Sequence, residues 1–574
     1  MDLISVGRCM VDLYCDQVGS PLREAQSVSM YIGGCPTNVA VGAARLGLKV
    51  AMLTRVGEDR TGEFVLETFR REGVDVSHIH VDPRAHTPMV MAEIMPPDRF
   101  ALTWYRERAS DLRLTESDFE RSWLGQARAV LVSGNSFSTP EAARVTRQLV
   151  REARAAGCRI IYDIDYRPVL WYRELPDGAR ELVEPTRLKD VLGEVDLLVG
   201  TEEEYEALAG GFEPARKLAP GATAVLKLGA RGAKVALSGQ EAVEVGGFPV
   251  EVLNTLGAGD AFLAGFLSGW LRDLPLSECV LRGNANGALV VTRHGCAPAM
   301  PYAREVEEFL ARGLTPRVER LHAAGALKPP PHRPLAILAI DHRTWFSQRC
   351  EDDERVGRFK LAACQAVAER CRQRSFDCEL GFILDREECL GWADAEGFWT
   401  AQCLEEPNST PLRVIGADAG VTLRSRPRRR AVKLLVTWPG GEGQRATLEQ
   451  VVAACRSLGR ELILEVLRPD GGRDLAVEMQ ELAELSPDWW KVPIGPDPAR
   501  IAQLASSDEC CRGVLWLGGG EPLEELSAQL GVVARLSASK GFAVGRTVFE
   551  QAFLEDQPEL VADRFERLVR AWGL

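Results

Sequence analysis

No unbroken apolar run in this sequence reaches the length that a membrane-spanning helix needs, about 18 residues, so no span is expected. The opening segment, MDLISVGRCMVDLY, has no basic leader and no small-residue cleavage site, so a signal peptide is not expected there. Arg8 and Asp12 interrupt its apolar run, and it reads as a first strand. Positive charge is in deficit: 69 Lys and Arg against 82 Asp and Glu leave a net charge of −13. That balance argues against nucleic acid or an anionic membrane as partner. The 15 cysteines contain no zinc-like pair of Cys-x-x-Cys motifs. Cys364, Cys371 and Cys378 recur every seven residues and read as thiols along one helix face and its exit. Free thiols fit a reducing cytosol, so a cytoplasmic location is expected. No GxxxxGK[ST] string is present, which excludes a Walker phosphate loop.

What is present is an ordinary globular composition, 46% hydrophobic and 26% charged, over 574 residues. That length exceeds a single core, so two or more domains are expected. Strand-like and helix-like segments alternate from residue 1 to about 312. Residues 313–334 then change character and end in LKPPPHRP, where proline can continue neither a helix nor a central strand. A second alternating series fills 335–574, so both halves are expected to be α/β. The basic run RSRPRRR (424–430) reads as a solvated loop.

In the first half, NTLGAGDAFLAGFLSGW (254–270) places Gly257, Ala258 and Gly259 just before an apolar run of helical period. Small residues at a helix start aim backbone N–H groups at one point, and the helix dipole adds positive potential. Asp260 follows in the first turn. A carboxylate beside an anion site suits a base that takes a proton from an attacking hydroxyl. A Gly-rich turn with a capping aspartate is the alternative. A second cluster, YIGGCPTNVAVGAARLG (31–47), supplies Gly33, Gly34 and the amide of Asn38. GGCPTNVAVGAARLG and NTLGAGDAF together resemble the two signatures of the ribokinase, or PfkB, carbohydrate kinases, over about residues 1–312.

The resemblance implies a doubly wound α/β sheet with a small β lid, ATP and Mg²⁺ as cofactors, and homo-oligomers built through the lid. It implies Asp260 as catalytic base and Gly257, Ala258 and Gly259 as an anion hole. Asp12, Gly33, Gly34 and Asn38 would hold sugar hydroxyls. LKLGARG (226–232) would place Lys227, Gly229 and Gly232 near ATP, and VGTEEEYEALAG (199–210) would place Glu204 at the metal. Two positions depart from the family pattern: Asn254 stands where aspartate is usual, and Thr201 where asparagine is usual. TWYRERASDLRL (103–114) adds Arg106 and Arg108, and IIYDIDYRPVLW (160–171) adds Asp163, Asp165 and Arg167. Arginine suits a substrate carboxylate, and Arg106 is the expected ligand. DIDYRPVLW resembles the 5-dehydro-2-deoxygluconokinase branch, whose substrate is a keto sugar acid. Another sugar acid, such as 2-keto-3-deoxygluconate, or a neutral ketose is the alternative.

In the second half, eight strand-like runs alternate with helical sequence: 335–341, 378–385, 399–407, 431–438, 461–467, 489–494, 513–519 and 541–549. That pattern predicts a (β/α)8 barrel with functional groups at the C-terminal strand ends. Four lysines occur after residue 334, and two of them, Lys433 and Lys491, lie inside apolar strands. Burial beside a second cation would lower a lysine pKa and free its amine for imine formation. A zinc aldolase needs several histidines, and this half has one, His342. The alternative is that both lysines neutralise strand-end carboxylates. PDWWKV, LILEV, AIDHR and KGFAVGRTVF resemble a domain of uncharacterised function fused behind such kinases and, more distantly, class I aldolases. This implies Lys491 as the Schiff-base lysine, Lys433 as its neighbour, Glu465 as proton shuttle and Asp341 at substrate hydroxyls. Gly518, Gly519, Gly545 and Arg546 would bind a phosphate. The combined expectation is phosphorylation of 5-dehydro-2-deoxy-D-gluconate at its 6-hydroxyl, then cleavage to dihydroxyacetone phosphate and malonic semialdehyde. The alternative for the barrel is a non-catalytic phosphosugar-binding domain.

Overall fold

The computed structural model describes residues 1–574 except 175–179, 238, 328–331, 417, 440–442, 468–473 and 519. It divides into two compact units, Met1–His322 and Ala323–Leu574. The division falls inside the expected linker, but the start of that segment is folded. Helix Pro316–Gly325 carries Val318 and Leu321 at helical spacing, and Val318 joins the first unit's core. Glu319 and His322 of the same helix each lie 3.0 Å from a partner in that unit, Arg293 and Glu305.

A nine-stranded sheet organises the first unit. Its central strands are Leu197–Thr201, Arg159–Asp163, Ala129–Ser133, Leu3–Val6 and Val50–Gly57, all parallel. Each is a short apolar run buried on both faces, as sheets covered by helices on both sides require. Leu3, Ala129 and Leu131 join one core, while Ile4, Val130 and Val132 join the other, so alternate side chains serve opposite layers. Helices Cys35–Arg45, Ala258–Trp270 and Leu276–Val291 cover the first layer. A second, four-stranded sheet has the order Val28–Gly33, Met10–Cys15, Met89–Met95, Arg99–Tyr105. Tyr31, Phe100 and Leu102 pack on its inner face, and Val28, Met30 and Tyr105 stay exposed on the outer one. This is the doubly wound fold with a β lid.

In the second unit, eight parallel strands close into a barrel, from Leu335–Ala339 to Ser539–Val544. Leu335, Ile337, Ile383, Ala401, Ala431, Ile463, Trp489 and Leu515 fill its interior. The last predicted strand, 541–549, is shorter than expected. It ends at Val544, and helix Arg546–Leu554 follows because Val548, Phe549, Ala552 and Phe553 bury at helical spacing. Among the described residues, no helix is long and apolar enough to cross a membrane, and all 15 cysteines are free.

Candidate active sites

In the first unit, Asp163, Thr201 and Lys227 end three adjacent strands, with Thr201 and Lys227 in direct register. Ligands of open α/β sheets bind at such strand ends. Helix Ala258–Trp270 starts beside them, after Gly257 turns the chain to φ +85°, a region glycine enters without a side-chain penalty. The first N–H groups of a helix lack intrahelical acceptors, and residues 257–260 line a cavity of about 820 Å³ with Asp163, Glu204 and Lys227. A side chain at Gly259 would sit 3.3 Å from Lys227 Nζ. Backbone donors and an ammonium thus meet at one point, which is what a phosphoryl group requires.

Asp260 lies in the first turn of that helix, and its Oδ2 accepts a hydrogen bond from Asn38 Nδ2 at 2.7 Å. Burial, reinforced by the nearby Asp165 carboxylate, raises its pKa above the ordinary carboxylate value. Asp12 is buried too, and desolvation pushes it up to about 7 against the pull of Arg8. A side chain at Gly33 would come within 1.9 Å of Asp12 Oδ2, so glycine there is what lets the carboxylate stand. Asp12 Oδ1 and Asn38 Oδ1 are buried acceptors without a hydrogen-bond partner among the described residues. Orphan acceptors on a cleft wall match the donors of a polyol.

Other expected residues are placed as follows. Gly229 and Gly232 line the same cavity as Lys227. Lys227 Nζ lies 3.1 Å from Asp163 and 3.9 Å from Glu204. Glu204 closes a capping box with Thr201, accepting that residue's N–H at 2.8 Å, so one carboxylate oxygen is committed to the helix start. Asn254, the other departure from pattern, is a turn residue. Its Nδ2 donates to Arg293 O at 2.8 Å, and its Oδ1 accepts from Leu256 N at 3.0 Å. Arg106 differs from expectation: its Nε and Nη2 both donate to Asp111 Oδ2, at 3.0 and 2.6 Å. A buried guanidinium already closed on a carboxylate is poorly placed to take a second one. Arg8, which sequence reasoning noted merely as a charge within a strand, lies between Asp165 (3.4 Å) and the Trp104 ring (5.3 Å).

The pfkB family carbohydrate kinase model matches residues 1–303. The chain belongs to the pfkB family of carbohydrate kinases. The 5-dehydro-2-deoxygluconokinase of Shouchella clausii is 31% identical over 318 residues, covering 54% of this chain and 95% of the relative. That of Bacillus subtilis is 27% identical, with 54% and 95% covered. A PfkB protein from Polaromonas sp. JS666 is 29% identical, with a TM-score of 0.46, and the match covers 54% of this chain and 99% of that one. The uncharacterized bacterial protein family DUF2090 matches residues 302–573, behind the pfkB kinase region.

Within the barrel, the period of two along each strand builds the second site. Ala431, Ile463 and Trp489 point into the interior, so Lys433, Glu465 and Lys491, each two residues on, point inward one layer nearer the C-terminal mouth. They line a cavity of about 590 Å³ with Asp341, His342, Glu405, Gly518, Gly545 and Arg546. The expected Gly519 lies outside the described residues. Lys433 Nζ meets Asp341 at 3.1 Å, Glu405 at 3.0 Å and Glu465 at 2.9 Å. Glu465 also meets Lys491 at 2.6 Å. The three carboxylates more than offset burial and raise the Lys433 pKa well above the ordinary lysine value. Lys433 is therefore no bare cation beside Lys491: Glu465 stands between the two. His342, half-buried, with Nδ1 3.7 Å from Asp341 Oδ1 and without a hydrogen bond among the described residues, was not anticipated as a site group. Desolvation holds its pKa down at about 4, so the imidazole is neutral. Asp385, another strand-end carboxylate, is instead taken by Lys360 at 2.7 Å.

Proposed function

We propose that the first unit phosphorylates 5-dehydro-2-deoxy-D-gluconate at its 6-hydroxyl, using ATP. The observation that carries this reading is Asp260, held by Asn38 at the start of the helix whose amides and neighbouring Lys227 form the anion site. Asp260 removes the hydroxyl proton as that oxygen attacks the γ-phosphorus. The amides of 257–259 and Lys227 take up charge on the transferring group. Glu204 and Asp163 supply hard oxygen donors on the same cavity, a set that fits Mg²⁺. When bound, the ion would neutralise nucleotide phosphate charge. The exposed outer face of the lid, with Val28, Met30 and Tyr105, supports pairing of two copies there.

For the barrel, the reading is aldol cleavage of the phosphorylated product. Lys491 transfers a proton to Glu465, its amine adds to the C5 ketone, and water leaves to give an iminium. Loss of the C3 hydroxyl proton breaks C3–C4, releases malonic semialdehyde and leaves an enamine on Lys491. Protonation at C4 and hydrolysis free dihydroxyacetone phosphate. Lys433 acts as the fixed cation among Asp341, Glu405 and Glu465, and Arg546 with Gly518 and Gly545 lies where barrels often bind phosphate. Mass analysis of products from the full chain with ATP, Mg²⁺ and the keto acid tests both steps. A three-carbon phosphate is expected. A six-carbon phosphate alone would remove the lyase reading, and no ADP formation would remove the kinase reading.

A further inference from the structure

We infer that Arg8 is the residue that recognises the substrate's carboxylate and so sets the preference of the kinase for sugar acids over neutral sugars. This rests on the kinase reading above and names a ligand within it.

The argument begins with the cost of the residue. Arg8 is 5% exposed. Removing a guanidinium from water is expensive unless its donors are satisfied. Here they are not: Nε and Nη1 have no hydrogen-bond partner among the described residues. Its Nη2 shares Asp165 at 3.4 Å, a long contact. That carboxylate is already engaged by Asn135 Nδ2 at 2.7 Å and Arg167 Nε at 3.2 Å. Asp165 therefore anchors Arg8 without using up its donors.

Position gives the orphan donors a use. Arg8 precedes the lid strand Met10–Cys15 that carries Asp12. Its Cγ would be 3.3 Å from a side chain at Gly34, and Trp104 of the inner lid face stacks on its guanidinium at 5.3 Å. Arg8 thus sits among the groups assigned to the sugar. Two of those groups present orphan acceptors, Asp12 Oδ1 and Asn38 Oδ1, which suit hydroxyl donors. Two unpaired nitrogens of one planar fork suit the opposite partner, a carboxylate that accepts from both. An aromatic face behind the fork holds its plane. Arg106 cannot take this part without leaving Asp111.

The test compares 5-dehydro-2-deoxy-D-gluconate with the analogue whose carboxylate is reduced to a primary alcohol, in the wild-type full chain, Arg8→Gln and Arg8→Lys. The readout is the ratio of kcat/KM for the acid to that for the alcohol. In Arg8→Gln this ratio is expected to fall about a hundredfold, carried by KM rather than kcat. Arg8→Lys keeps the charge beside Asp165 but loses the fork, and an intermediate fall is expected. It carries the test alone should the glutamine variant not fold. An equal loss on both substrates, leaving the ratio at its wild-type value, would overturn the inference and assign Arg8 a purely structural role. A wild-type enzyme with no preference for the acid would instead overturn the sugar-acid reading itself, which separates the two failures.

Discussion

Glu465 and Lys491 stand in direct register on neighbouring strands, with 2.6 Å between carboxylate oxygen and amine nitrogen. An amine must be unprotonated to add to a carbonyl, and a carboxylate in contact is the nearest place for its proton to go. Borohydride added during turnover is therefore expected to fix a substrate-derived adduct on Lys491, read by peptide mass analysis. Lys491→Met should lose the adduct. Glu465→Gln should slow its formation by about 10²–10⁴-fold, the usual worth of a positioned acid–base group. An adduct on Lys433 or Lys360 instead would displace Lys491 from its assigned role.

Lys433 leads to a stability prediction. It neutralises three buried carboxylates, and Lys433→Met would leave them facing one another. Breaking a buried pair from one side costs about 3–5 kcal/mol, so the barrel transition should fall on the order of 10 °C in calorimetry of the full chain. Lys433 holds the Asp341 and Glu465 pKa values below the ordinary carboxylate range. Their contribution is thus present above that range and is lost as pH falls through the depressed folded values. The gap between wild type and variant should be widest near neutrality and should narrow below about pH 4.

Much of this architecture was legible from residue patterns. The eight apolar runs became eight barrel strands because each is short, rich in branched or aromatic residues and bounded by polar or glycine-containing sequence. The end of the last run was misread, since Val548 and Phe549 are equally at home in a strand or on a buried helix face, and packing decided for the helix. In the kinase unit, Asp260 and the Gly257–Gly259 stretch stood out because chemistry and helix start coincide within one motif. Arg106 and Arg8 could not be told apart by sequence. Which arginine is closed on a carboxylate depends on Asp111 and Asp165, and spacing alone does not show which side chains meet. Glu405 was legible as a strand-end carboxylate, whereas His342, though next to Asp341 in the chain, drew notice only as a lone histidine, because its place on the Lys433 cavity depends on how the barrel folds.

Asp12 offers a case in which a binding group weakens the protein that holds it. Its folded pKa of about 7 exceeds the ordinary value near 3.9. A carboxyl raised in this way leaves the folded state fully favoured below the ordinary value and costs stability as pH rises through the folded one. Asp12→Asn never ionises. At pH 8 its kinase transition should lie on the order of 5 °C above wild type, with little difference near pH 4. The same variant should bind the sugar acid more weakly, because the amide offers one acceptor oxygen where the carboxylate offers two. Calorimetry at the two pH values checks the first part, and KM for the acid checks the second.

The contact between Asn38 and Asp260 joins residues 222 positions apart, and its role in catalysis can be separated from its role in binding. Asp260 must be ionised to accept the hydroxyl proton, so turnover fails as pH falls through its folded pKa. Burial and Asp165 push that value up, while the Asn38 amide pulls it down. Asn38→Ala removes the downward pull, and the acid limb of kcat/KM should move to higher pH. Asn38→Asp replaces a donor with a like charge and should move it further. Asp260→Asn removes the base altogether, and kcat should drop about 10²–10⁴-fold while nucleotide affinity stays within a few-fold of wild type. ADP release measured from pH 5 to 9 for the three variants decides the matter. An acid limb that does not move in Asn38→Ala would mean that another group limits turnover at low pH, and an Asp260→Asn enzyme with undiminished kcat would take the base away from this site.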